Sequence, residues 1–178
     1  MPGSCYRQHW NPRMLATTLQ ALAAFPSQLE AYHASFPAEF VNWQPQSWQG
    51  IPSEAFSALE QICHVRDIEV EGYQSRIHRT LAEDNPLLPS LDGESMARER
   101  RYSSADAVLA LADFRRARQQ TLAMLADLSP AQLQRTARFE GYGALTLSSL
   151  VHYLCSHDQQ HLAGLQWLLG KLAARQAG

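Results

Sequence analysis

LSSLVHYLCSHDQQHLAGLQWLLGKL, residues Leu147–Leu172, is the last strongly helical segment of the chain, and its reading decides the rest. Tyr153, Leu154, Gly164, Leu165 and Leu168 fall at the offsets of an apolar helical stripe. His157 and His161 are four residues apart in the same segment, so they share one helix face, about 40° apart by the helical period. That face is the apolar one. Two imidazoles set into the buried side of a helix need partners, because burying polar groups alone is costly. A shared metal ion is the sharpest answer, since neutral imidazole is its commonest side-chain ligand.

At 178 residues the chain is long enough for one domain with a real core. Hydrophobic residues make up 46% and charged residues 18%, the balance of a soluble globular protein. The net charge of −2 and the isoelectric point near 6.4 argue against a nucleic-acid binder that relies on bulk positive charge. The basic run Arg98-Glu99-Arg100-Arg101 is short and reads as a solvated loop. No apolar run has the ~18–20 residues that a membrane-spanning helix needs, and Met1–Asn11 lacks the apolar centre of a secretory signal. A cytoplasmic protein is expected. Cys5, Cys63 and Cys155 form no CxxC pair, which suits a reducing compartment, and the last two read as small buried hydrophobes.

Along the chain, residues 1–12 have no period and are expected to be a flexible arm carrying His9 and Trp10. Residues 13–175 are expected to form a single domain. Arg13 to about Ser35 has a helical stripe of Leu15, Leu19, Leu22, Phe25, Leu29 and Tyr32, with a kink or break expected at Pro26. Phe36–Ile51 is a loop anchored by Phe40, Trp43 and Trp48. A second long helix starts at Pro52-Ser53-Glu54 and ends near Glu83, its stripe formed by Phe56, Leu59, Cys63, Val70, Tyr73, Ile77 and Leu81. Asn85–Arg101 is a long loop, and Ser103 or Ser104 caps a third helix to about Leu128. Ser129–Arg135 is a short helical turn, Phe139–Ala144 a connection, and Thr146 the N-cap of the final helix. Four long helices joined by loops predict an all-α four-helix bundle.

His64 lies beside the stripe of the second helix, with Asp67 and Glu71 following on the same side. Alone it reads as a satisfied boundary histidine. The pair on the last helix gives it another use, because two ligands from one helix need at least one more from elsewhere.

Here the sequence resembles the DinB/YfiT-like family, the DinB superfamily, over about Met14–Ala173. The carriers are His64-Val65-Arg66-Asp67-Ile68-Glu69, His157-Asp158-Gln159-Gln160-His161-Leu162 and Asp84-Asn85-Pro86-Leu87-Leu88-Pro89. The resemblance implies a four-helix bundle with an up-down-down-up chain path and long connecting loops. It also implies one divalent metal ion at the bundle mouth, held by three histidines that correspond to His64, His157 and His161. Three nitrogens leave a position open for water or substrate, as a catalytic site requires. Zinc, nickel and iron all accept imidazole.

Asp158, Asp67 and Glu71 are the weaker catalytic candidates, as bases or as groups that orient an imidazole. His152 and His78 are expected to stay outside the site, and His33 reads as a surface or C-terminal helix residue. The resemblance implies a small-molecule substrate, with a thiol S-transferase using a low-molecular-weight thiol, or a related isomerase, as the activity; a small-molecule hydrolase is equally compatible with the residues. Trp43, Trp48 and the Asn85–Arg101 loop are expected to shape the pocket. No nucleic-acid or membrane partner is expected, and a homodimer fits the helical faces. The competing readings are a non-catalytic metal-binding or dimerising bundle, and a bundle whose buried histidines hold no metal.

Overall fold

The computed structural model describes residues 12–176. Most of the expected N-terminal arm, with Cys5, His9 and Trp10, lies outside them. Four helical rods form the body. They are α1 (Pro12–Ala34), then α2 (Ala58–Asp67) continuing through a π-helical turn (Ile68–Gln74) into α3 (Ser75–Ala82), then α5 (Ala107–Ala126) and α7 (Leu147–Gln176). Leu22, Phe25, Leu29, Ile62, Ile77, Phe114, Leu150, Leu154, Leu165 and Leu168 meet in one buried core.

Side-chain pairs fix the chain path. Thr18 bonds His152 and Tyr32 bonds Gln166, so α1 and α7 run the same way. Leu22 meets Arg118 while Glu30 meets Arg115, so α1 and α5 run oppositely. Gln61 meets His161 and Tyr73 faces His157, so the second rod opposes α7. Cys63 lies at Tyr102, just before α5, and Gln74 reaches Thr121, so the second rod and α5 run together. The first two rods sit across the diagonal, each packed against α5 and α7. This is the up-down-down-up bundle. Its two parallel neighbours require a long crossover, which residues 83–106 supply. No helix among the described residues is long and apolar enough to cross a membrane.

The crossover is more structured than a loop. It holds β1 (Leu87–Leu88) and the short helix α4 (Gly93–Glu99). After the short helix α6 (Pro130–Leu133), the connection to α7 is a hairpin of β2 (Thr136–Phe139) and β3 (Gly143–Thr146). The strands lie in the order β1-β2-β3, parallel then antiparallel, with Leu88 opposite Arg138's neighbour Phe139 and Ala137 opposite Leu145. The hairpin turn uses Gly141 and Gly143 at φ of +82° and +81°, a region that residues with a Cβ rarely enter. Thr146 does accept from the Ser149 amide at 3.2 Å at the start of α7.

Three helix expectations change. The second rod begins at Ala58, not at Pro52, because Ser57 and Glu60 form a reciprocal capping box there. The third begins at Ala107, capped by Asp106 rather than by Ser103 or Ser104. Val70, expected on the apolar stripe, is 45% exposed, whereas Glu69 is 1% exposed. The cause is the π turn: its wider winding breaks the 3.6-residue register and turns Glu69 inward.

The expected break at Pro26 is absent, and α1 runs through it. Proline has no amide to donate to the carbonyl four residues back. That carbonyl, on Leu22, accepts instead from Arg118 Nη1 at 3.1 Å. Arg118 is 1% exposed and spends its remaining donors on two carboxylates. Nε and Nη2 donate to Glu69, each at 2.9 Å, and Nη1 and Nη2 donate to Asp158 at 2.6 and 3.0 Å. All five N–H groups of the guanidinium are therefore bonded. It also lies over Phe25 and Phe114.

Removing Arg118 leaves two buried carboxylates without a counter-charge. Arg118→Met is expected to lower stability by about 3–5 kcal/mol in urea denaturation. Replacing the whole cluster, with Glu69→Leu and Asp158→Leu added, should recover most of that loss. A near-neutral Arg118→Met would contradict the cluster's assigned role.

Candidate metal centre

His64 sits on α2, and His157 and His161 lie one turn apart on the antiparallel α7. The structure brings all three together. His64 Nε2 is 3.3 Å from His157 Nε2, and His161 Nε2 is 3.1 Å from the same atom. The three ligand atoms lie within 4.8 Å of one another. His64 and His161 are buried, and His157 is partly open to a cavity of about 130 Å³.

Each ring is held by its surroundings. His161 Nδ1 donates to Gln61 Oε1. Gln61 is oriented for this by its own amide group, which donates to Ser53 Oγ at 2.9 Å and to the Phe56 carbonyl at 3.3 Å. The proton of His161 therefore sits on Nδ1 and leaves a bare lone pair on Nε2. The Ser53–Gln61 pair comes so close to α7 that a Cβ on Gly164 would lie 2.4 Å from Ser53 Oγ. His64 stacks near Phe56, with ring centroids 5.1 Å apart, and lies under the first turn of α4. A Cβ on Gly93 would approach His64 Cε1 to 2.5 Å, so only glycine lets α4 close over this ring.

Electrostatics keep the rings neutral. Burial pulls His64 down to about 4, against a smaller opposing pull from Asp67. Burial also holds His157 and His161 well below the usual imidazole range, and the neighbouring rings add to it. Neutral rings are the form that binds a cation.

The donor set fits a divalent ion. Tetrahedral bonds of about 2.0–2.1 Å place coordinating nitrogens about 3.3–3.4 Å apart, close to the observed spacings. His64 Nδ1 is buried without a hydrogen-bond partner. A cation shared through the Nε2 atoms would offset the cost of that ring's burial.

The other expected site residues are occupied elsewhere. Asp158 is held by Arg118, and burial pushes its carboxyl up to about 7 against the pull of that arginine. Asp67 accepts from Arg66 at 2.6 Å, Tyr102 at 2.7 Å and Arg100 at 2.8 Å. Glu71 takes the other edge of Arg100 at 2.5 and 2.9 Å. Within the basic run Arg100 thus clamps the second rod, while the run as a whole stays exposed and begins in the last turn of α4 rather than in a loop. His152 bonds Thr18, His78 is exposed, and His33 lies half-buried in the last turn of α1, the C-terminal helix position expected as one of its alternatives. Cys63 is buried, and burial raises its thiol to about 11; Cys155 is only partly buried.

The cavity beside the histidines is walled by Glu54, Ile68, Tyr73, Arg76, Phe139 and Tyr142, with Ser90 and Leu91 from the crossover. The crossover therefore contributes as expected, but the loop tryptophans do not. Trp48 stacks on Trp167 at 6.1 Å, and Trp43 lines a separate surface pocket with Lys171 and Arg175. Their place is taken by the hairpin, whose Phe139 and Tyr142 stack at 4.7 Å.

Sequence reasoning missed Glu54. Its carboxylate oxygens lie 3.7 Å from His64 Nε2 and 3.4 Å from His161 Nε2. Its side chain is 40% exposed, and partial burial raises its carboxyl above the usual range. Nothing local marks it, because a helix start at Pro52 would place it in a first turn, where acids are ordinary.

A family model described as the DinB superfamily matches residues 21–165. Among solved structures, YfiT from Bacillus subtilis is described as a probable metal-dependent hydrolase with an unusual four-helix bundle topology. The chain aligns with it at a TM-score of 0.81 and 16% identity, over 94% of this chain and 92% of that one. That likeness is one of fold. No curated protein matches the sequence.

The depressed histidines make metal-free stability depend on pH. Unfolding frees His64 to titrate near its ordinary 6.5, so between about 6.5 and 4 the unfolded state binds the extra proton. Stability should fall with pH across that window by about 1.4 kcal/mol per unit for this ring. Asp158 works in the opposite direction, so the clean readout is a difference. In urea denaturation between pH 5 and 7.5, metal-free wild type should show a steeper loss than His64→Gln. Equal slopes would contradict a neutral, buried His64.

Proposed function

We propose that this chain, which belongs to the DinB superfamily, is a divalent-metal-dependent hydrolase of a small molecule, with His64, His157 and His161 holding the ion. The observation that carries the reading is the convergence of three neutral imidazoles, with the His64 and His161 Nε2 atoms 3.3 and 3.1 Å from His157 Nε2, beside a cavity that His64 and His157 line. A bound divalent cation supplies Lewis acidity, which makes water a usable nucleophile at neutral pH.

The protein's own groups have separable tasks. Gln61 keeps the His161 proton on Nδ1 and so presents Nε2 to the ion. Glu54, partly open to solvent beside two of the three nitrogens, is placed to accept a proton from an attacking water. Its raised carboxyl pKa brings it nearer to neutral pH, where a general base works best. Ile68, Leu91 and Phe139 give the cavity apolar walls that limit competing water.

Thiol S-transfer, the activity that the family resemblance adds, uses the same parts. A thiol proton would pass to Glu54 as a water proton does. An ion with an open position separates both enzyme readings from a purely structural metal, which is closed by four protein ligands. Glu54 bears on this distinction, because its oxygens lie 3.4 and 3.7 Å from two of the nitrogens: bound to the ion it would close the site, and held off the ion it would serve the open position as a base.

Two variants test the reading. His161→Ala should lose stoichiometric zinc, measured by elemental analysis of untagged protein, while its circular dichroism stays that of a folded bundle. Glu54→Gln should keep the ion and lose about 10²–10⁴-fold of the turnover found on a panel of small esters and amides. Full zinc occupancy in His161→Ala would refute the three-histidine site. Undiminished turnover in Glu54→Gln would remove Glu54 from the proton path.

A further inference from the structure

The bundle buries two arginines and treats them oppositely. Arg118 has all five N–H groups bonded and two carboxylates around it. Arg76 is only 6% exposed, yet among the described residues no carboxylate pairs with it. Its Nε and Nη2 both donate to one neutral acceptor, the Pro89 carbonyl, at 3.3 and 2.9 Å. The remaining donors, both on Nη1 and one on Nη2, are available.

The guanidinium is nonetheless held firmly. It lies 4.4 Å over the Phe139 ring and 5.3 Å from the Tyr73 ring centroid. Nη1 passes so close to the π turn that a Cβ on Gly72 would lie 3.0 Å from it. The π turn, Gly72 and the hairpin together build a seat for a fixed positive charge. Burial without a carboxylate disfavours that charge and lowers the arginine below its usual range. A fold that stabilises Arg118 so completely but leaves Arg76 in this state has kept a fork of donors for something else.

That fork faces the cavity of about 130 Å³ that also exposes His64 and His157. A space of this size admits a group of a few heavy atoms beside the ion's place. Two parallel N–H donors on one guanidinium match the two oxygens and single charge of a carboxylate. A phosphate dianion would bring more charge than this single arginine balances.

We infer that Arg76 is the substrate-anchoring residue of this site and that the substrate is a small carboxylate-bearing molecule, its carboxylate on Arg76 and its reacting group toward His64 and His157. The inference deepens the proposed metal-dependent function and rests on it for the place of the reacting group. The anchoring itself is a property of the chain and does not need the ion.

The test compares propionate with its uncharged isostere propionamide, by calorimetry and by NMR of the arginine side chains. Both titrations are run on metal-free and zinc-loaded wild type and on Arg76→Gln. Propionate should bind at least tenfold more tightly than propionamide in wild type, with and without zinc, and should shift the Arg76 side-chain signal. In Arg76→Gln the preference should fall below twofold while zinc content stays unchanged. Equal binding of the two ligands to metal-free wild type overturns the inference. So does a preference that survives Arg76→Gln, or one that appears only with zinc, since the ion would then be the anchor. Should Arg76→Gln fail to fold, the isostere ratio and the Arg76 signal in wild type decide the matter. Failure of wild type to take up zinc refutes the metal reading separately, and the metal-free titrations still judge this one.

Discussion

Everything in the bundle is referred to one guanidinium. Arg118 stands on α5 and bonds the Leu22 carbonyl of α1, Glu69 on the second rod and Asp158 on α7. One side chain therefore touches all four rods. A buried ion cluster of this kind is weak evidence for stability, because desolvation offsets much of its attraction. Its value here is register. Apolar faces tolerate small rotations and slides, whereas five directional bonds do not. Fixing Asp158 fixes the phase of α7, and with it the direction in which His157 and His161 point. Fixing Glu69 does the same for the second rod a turn beyond His64. The convergence of the three imidazoles follows from where the arginine holds its partners.

Around that centre the polar interior divides into two kinds. Arg118, Asp158, Asp67 and Gln61 have their bonding capacity met by protein groups, and they set geometry. The Nε2 atoms of the histidines and the free donors of Arg76 are not met in this way, and His64, His157 and Arg76 border one cavity. Buried polar groups are nearly always satisfied in folded proteins. Unmet lone pairs and unmet donors side by side therefore describe a ligand with two different ends. The glycines at positions 72, 93 and 164 belong to the same construction, since each lets a backbone approach where a methyl group would strike a site residue or its support.

Much of this was legible in the sequence, because it depends on short periods. The 3.6-residue stripes located the four rods, and the four-residue spacing of His157 and His161 placed two rings on one inner face. What was hidden depends on contacts distant in sequence. Pro26 looks like a break because the donor that relieves it, on Arg118, is 96 residues away from the Leu22 carbonyl it serves. Asp158 looks like a base or an imidazole-orienting group because its partner Arg118 is 40 residues away, and Glu69 looks like a solvated neighbour of Val70 until the π turn exchanges the exposure of those two residues. A single inserted residue in a helix leaves no local signature in composition. Glu54 reaches the histidines only because the segment before Ser57 stays irregular, a boundary set by the capping box six residues beyond Ile51. The strands of the crossover and hairpin are two to four residues long, too short for alternation to register.

X-ray absorption at the metal edge, on protein purified without a histidine tag, tests the central claim most directly. The account predicts one divalent ion per chain with a shell of three imidazole nitrogens, at about 2.0–2.1 Å if the ion is zinc, completed by light oxygen scatterers. An ion bound through sulfur, a shell with fewer than three imidazoles, or protein that stays metal-free in the presence of zinc would contradict it.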